Sequence, residues 1–91
     1  MTWSEAEYLA YLAQERLNYA WVLREHGGMT PDAAGAAALD DYPYEPADAP
    51  YRGLVFHDEA WHWAMLRIHG DRYRVTHPEL DGPSAAYRAL P

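Results

Sequence analysis

Prolines at positions 43, 46 and 50 interrupt the middle of this 91-residue chain, and neither a regular helix nor a central strand can run through Tyr42-Pro43-Tyr44-Glu45-Pro46-Ala47-Asp48-Ala49-Pro50-Tyr51. Each proline fixes φ and removes a backbone donor. The segment is therefore read as an extended connector between two helical halves. Its tyrosines make it too apolar for a free linker, so it is expected to lie against the core as a strap over 43–56. Pro43-x-x-Pro46 also matches the minimal ligand spacing of proline-recognition domains, a spacing that is common by chance.

Both flanks of the strap carry helix signals. Thr2-x-x-Glu5 and Ser4-x-x-Glu7 are overlapping capping boxes, and Gly27-Gly28 is a stop, so a long first helix is expected over about 3–26. Projected at about 100° per residue, it has two apolar stripes. One holds Ala6, Leu9, Ala10, Ala13, Leu17 and Ala20; the other holds Tyr8, Leu12, Tyr19 and Leu23. Two apolar faces call for two partners, and the alanine stripe would accept either another helix of this chain or the same helix of a second copy. Thr30-Pro31 caps and starts a second helix over about 31–42, which Pro43 ends. A third is expected over about 58–69 with Gly70 as its stop, and a last helical turn over about 84–90 should dock through Tyr87 and Leu90. Leu54-Val55-Phe56 and Tyr73-Arg74-Val75 could pair as a tiny two-stranded hairpin.

Composition excludes several function classes. The chain has no cysteine, which removes disulfides, thiolate metal sites and a cysteine nucleophile. No segment approaches the ~18 consecutive apolar residues of a membrane span, and Met1-Thr2-Trp3-Ser4-Glu5 lacks a secretory pattern, so a cytoplasmic location and no membrane partner are expected. Net charge is −7, with five acids and no base in residues 30–50. That charge repels phosphate backbones and argues against nucleic acid. Arg67, Arg72 and Arg74 form a local basic patch, expected to pair with Asp40, Asp41, Glu45 or Asp48.

The run Phe56-His57-Asp58-Glu59-Ala60-Trp61-His62-Trp63-Ala64-Met65-Leu66 carries the densest chemistry. On a helix, Ala60, Trp61, Ala64, Met65 and Ile68 form a core face, while Asp58, Glu59, His62, Leu66 and His69 share the opposite arc. Acids in a first turn and a histidine in a last turn complement the helix dipole without any function. Trp63 and Arg67, at i and i+4, suit a cation–π contact. Glu59-x-x-His62 resembles half of the di-iron motif of ferritin-like proteins, in which facing helices add further glutamates. The resemblance covers four residues and implies a metal site, with iron or zinc held by Glu59, His62 and Glu15 and completed by oligomerisation. Glu15 qualifies because Tyr11 and Tyr19 flank it at i−4 and i+4, which places a carboxylate on an aromatic face where it needs a partner.

Catalysis finds little support. Ser4, Thr30, Thr76 and Ser84 read as caps or turn residues, and no Gly-rich phosphate loop exists. Arg72-x4-His77 has the spacing of some small helical ribonucleases, but Pro78 breaks the helix that their chemistry needs. Eight Tyr and four Trp, by contrast, are many for so small a core, and such residues are enriched at interface hot spots. The expectation is a single all-α domain over 1–91, a small orthogonal arrangement of three to four helices with the strap. It would serve as a cytoplasmic protein-interaction or regulatory subunit, self-associating or bound to a protein partner, without cofactor or catalysis. Its interaction residues would be Ala6, Ala10, Ala13, Leu17, Ala20, Trp63 and Arg67; the alternative is the ferritin-like metal subunit using Glu15, Glu59 and His62.

Overall fold

The structure, a computed structural model, describes residues 3–91. It is helical, with no strand among those residues: α1 Glu5–Gly27, α2 Pro31–Asp41, α3 Ala60–His69, α4 Tyr73–Thr76 and α5 Ala85–Arg88, plus 3-10 turns at Leu54–His57 and Pro78–Leu80. None of these helices is long and apolar enough to cross a membrane.

Local chemistry sets the element ends. Ser4 Oγ accepts the Glu7 N–H and the Glu7 carboxylate accepts the Ser4 N–H, both at 3.1 Å, which closes a capping box at the start of α1. The overlapping box at Thr2 lies outside the described residues. Gly28 ends α1 in the left-handed region at φ 67°, where a Cβ is disfavoured, and its N–H and that of Met29 both return to the Leu23 carbonyl. Thr30 caps α2 through the Ala33 N–H, with Pro31 in the first turn.

α1 is the spine on which α2 and α3 both pack. Its buried stripe is Tyr8, Leu12, Glu15, Tyr19, Val22 and Leu23. α2 contributes Ala34, Ala37 and Ala38, whose small side chains let the two backbones approach closely, and α3 contributes Ala60, Trp61, Ala64 and Met65. Arg16 fastens the first pair: its Nε and Nη2 donate to the Tyr42 carbonyl at the C-terminus of α2, at 2.9 and 2.6 Å. Tyr87 of α5 is buried against the same core and Leu90 packs at its edge, so the tail docks through both.

The proline segment lies along α1 near its start. Tyr8 gives its ring face to the Arg52 guanidinium at 3.8 Å and its hydroxyl oxygen to the Glu45 N–H at 2.8 Å. Arg52 also donates to the Glu45 carbonyl and pairs with Glu5 at 2.6 Å. The Arg52 side chain thus ties the strap to two residues of α1, Glu5 and Tyr8.

Two expectations are corrected. The hairpin between 54–56 and 73–75 does not form, because both runs satisfy their backbone groups locally: Leu54 N–H bonds to Tyr51, Phe56 to Gly53, Val75 and Thr76 to Arg72. α3 begins at Ala60, with Glu59 as its N-cap, since the preceding 3-10 turn ends in an extended Asp58 at ψ 156°. Asp58 and Glu59 therefore do not belong to a first helical turn.

Candidate functional site

Glu15 sits at one margin of the buried stripe of α1 and is 7% exposed. Tyr11, Gln14 and Asn18 lie beside it on the same flank of the helix. Opposite them stand Glu59, at the N-terminus of α3, and Tyr87, Arg88 and Leu90 from the C-terminal tail. Together they enclose a cleft of about 300 Å³, at the lower end of the size range of small-molecule sites.

Charge in the cleft is unevenly satisfied. Arg88 forks onto Glu59, Nη1 to Oε1 and Nη2 to Oε2, the second at 3.2 Å. Glu15 has no ion-pair partner among the described residues. Burial pushes its carboxyl above the ordinary glutamate range; the Tyr11 hydroxyl opposes that rise, and the negative charge of Glu59 adds to it. Tyr42 reinforces the same picture. Its hydroxyl is buried without a hydrogen-bond partner among the described residues. Burial foremost, and then the nearby Glu15 charge, drive it well above the usual tyrosine range.

The expected metal set is not assembled. Glu15 and Glu59 share the cleft, but the His62 Nδ1 is 2.8 Å from the Tyr73 hydroxyl and 3.3 Å from an Arg74 nitrogen. No group of three or more histidine and acidic side chains converges to hold a metal among the described residues. Starting α3 at Ala60 leaves Glu59 outside the helical register that the Glu-x-x-His spacing requires, and Arg88 then takes that carboxylate.

Trp63 and Arg67 also part company. Trp63 donates its indole N–H to the Val55 carbonyl at 2.8 Å, while Arg67 turns to Asp41 at 2.7 Å. The Asp41 carboxylate also receives the Tyr19 hydroxyl, so a buried tyrosine and a surface arginine share one acceptor. The expected cation–π pair gives way to a charge-assisted one. Of the arginine patch, Arg67 takes Asp41 as expected, whereas Arg74 pairs with Asp81 at 2.9 Å.

The alanine stripe of α1 stays uncovered. Ala6, Ala10 and Ala13 are exposed, Ala20 is half-buried, and Leu9 and Leu17 are 46% and 66% exposed. α2 and α3 pack on the face of α1 that carries Tyr8, Leu12, Tyr19 and Leu23, and Ala20 at the end of the stripe reaches the edge of that core.

Sequence reasoning reached Glu15 through its tyrosine neighbours and gave Tyr87 and Leu90 a docking role only, but missed Arg88, Gln14 and Asn18. Arg88 gives no local signal, because it meets Glu59 across 29 positions of chain. The chain matches no known protein family, no characterised protein and no solved structure.

Proposed function

We propose that this protein is a non-catalytic interaction subunit that self-associates through the alanine stripe of α1, in keeping with a cytoplasmic role. One observation carries the reading: a helix with two apolar faces has only one of them covered, and the bare one exposes Leu9 and Leu17 among alanines. Small residues allow two helices to meet at close range, and apolar side chains left in water gain about 25 cal/mol for each Å² they bury.

The pattern is also self-complementary. In an antiparallel pairing centred on Ala13, Leu9 faces Leu17 of the second copy and Ala6 faces its Ala20. A two-fold interface needs this reciprocity. The antiparallel arrangement also opposes the two helix dipoles.

The test is sedimentation equilibrium of the untagged protein beside Ala13→Arg. Wild type should associate, and an arginine at the centre should yield monomer with an unchanged circular dichroism spectrum. A wild-type monomer, or an assembly indifferent to that arginine, overturns the reading.

A further inference from the structure

The cleft is built for a charge it does not contain. Glu15 is more than nine-tenths buried, forms part of the cleft wall, and has no ion pair among the described residues. A buried carboxylate without an ion-pair partner is costly, and the Tyr11 hydroxyl offsets only part of that cost. A fold gains nothing from one that a neutral glutamine could replace.

The surroundings select what could supply the partner. Arg88 is held by Glu59, so among the described residues the cleft offers no free cation to an anion. A divalent metal would find too few ligands, since no three acidic or histidine side chains converge among the described residues. The remaining walls are the rings of Tyr11 and Tyr87 and the side chain of Leu90. Gln14 donates its amide nitrogen to Asn18 Oδ1 at 2.9 Å, which leaves its carbonyl oxygen as an acceptor. Carboxylate, amide oxygen and aromatic faces are the groups that recognise an organic ammonium ion.

We propose that the cleft binds a small organic amine as its cation, the ammonium group paired with the Glu15 carboxylate and a compact apolar or aromatic body held between Tyr11, Tyr87 and Leu90. The volume of about 300 Å³ suits a molecule of one ring and a short chain. The net charge of −7 draws such cations towards the protein. The cleft residues Tyr11, Glu15 and Asn18 are not part of the alanine stripe, although Gln14, Asn18 and Leu90 also line a second recess together with Leu17.

Linkage gives the binding a signature. The carboxyl of Glu15 is raised, chiefly by burial, so it takes up a proton at a less acidic pH than a free glutamate. Only the ionised form pairs with an ammonium. Affinity should therefore fall as pH drops through that raised range, while the amine itself stays charged.

The experiment is isothermal titration calorimetry with phenethylamine, phenethyl alcohol and 3-phenylpropionate, at about pH 7.5 and about pH 5. The amine should bind at least about tenfold more tightly than the alcohol, because a hydrogen bond to a charged group is lost with the ammonium. It should weaken at the lower pH, and 3-phenylpropionate should not bind. Glu15→Gln keeps the shape and removes the charge, so it should abolish both the amine preference and its pH dependence with the fold intact. Equal binding of amine and alcohol, tighter binding of the propionate, retention of the amine by Glu15→Gln, or no amine binding at millimolar concentration would each overturn the proposal; the wild-type comparisons decide it even if the variant misfolds.

Discussion

Arg88 places both terminal nitrogens on Glu59 and none on Glu15, although all three side chains line one cleft. The exposed carboxylate is neutralised and the buried one is not. Glu15 therefore destabilises the fold whenever it is ionised. Its folded pKa is raised above the unfolded value, so the native state binds the extra proton and stability declines as pH rises through the raised range. Glu15→Gln should be more stable than wild type near neutrality, and the two should converge in acid below the ordinary glutamate range. Urea melts of both proteins across that interval check it; a variant less stable at neutral pH would mean that the carboxylate has a cationic partner in solution.

Two glycines should respond to alanine with opposite signs. Gly53 has φ 82°, and a Cβ there would stand 2.9 Å from the Trp3 indole nitrogen. Left-handed backbone costs a residue with Cβ about 1–2 kcal/mol whether or not Trp3 moves aside, so Gly53→Ala should destabilise by at least that. Gly35 lies inside α2, and a Cβ there would have no described atom within 4 Å beyond its own helix backbone and chain neighbours. There alanine removes backbone entropy from the unfolded chain and should stabilise by about 0.5–1 kcal/mol. Denaturation midpoints of the two variants give the answer; a neutral Gly53→Ala would mean that the Tyr51–Gly53 turn is not formed as described.

The core was readable where one helix carried its own periodicity. Ala60, Trp61, Ala64 and Met65 are buried as their spacing predicts, and Ile68 is half-buried at the end of the same face. Thr30-Pro31, Gly28 and Gly70 mark helix ends through rules that act within a few residues. The site was legible only on the α1 side. Its other wall depends on the tail folding back to set Arg88 against Glu59, and on α3 starting two residues later than its polar pattern suggests. Arg67 shows the same limit: Trp63 is its neighbour in the helix, but Asp41 is a stronger partner brought by another element.

Trp61 should be the most sensitive aromatic position. It is 2% exposed, donates its indole N–H to the Leu80 carbonyl at 3.0 Å, and meets Tyr87 and His26 edge to face. Trp61→Phe keeps most of the volume but leaves the carbonyl without its donor, a cost of about 1–3 kcal/mol. Trp61→Ala adds a cavity and should cost about 3–5 kcal/mol, against a total of roughly 5–13 kcal/mol for a chain of this length. Because Tyr87 packs on the indole, the C-terminal tail should lose amide-exchange protection before α1 does. Simultaneous loss of protection in both would show that the tail is not a separable unit.

His69 stacks on His77 with ring centroids 4.0 Å apart, across the corner between α3 and the segment that follows α4. Burial foremost, then the charge of His77 and that of His26, hold the His69 imidazole below the ordinary histidine range; Glu79 acts in the opposite direction. A folded pKa below the unfolded one means that the native state binds fewer protons, so stability is lost as pH falls below about 6.5. His77→Gln removes a like charge but leaves the burial in place. In that variant the His69 ring resonances should titrate at a higher pH than in wild type while remaining below the ordinary range, and the loss of stability on acidification should become shallower. A His69 that titrates normally in the variant would make His77, and not burial, the main cause; one that titrates above the ordinary range in wild type would mean that a carboxylate, most simply Glu79, reaches the imidazole in solution.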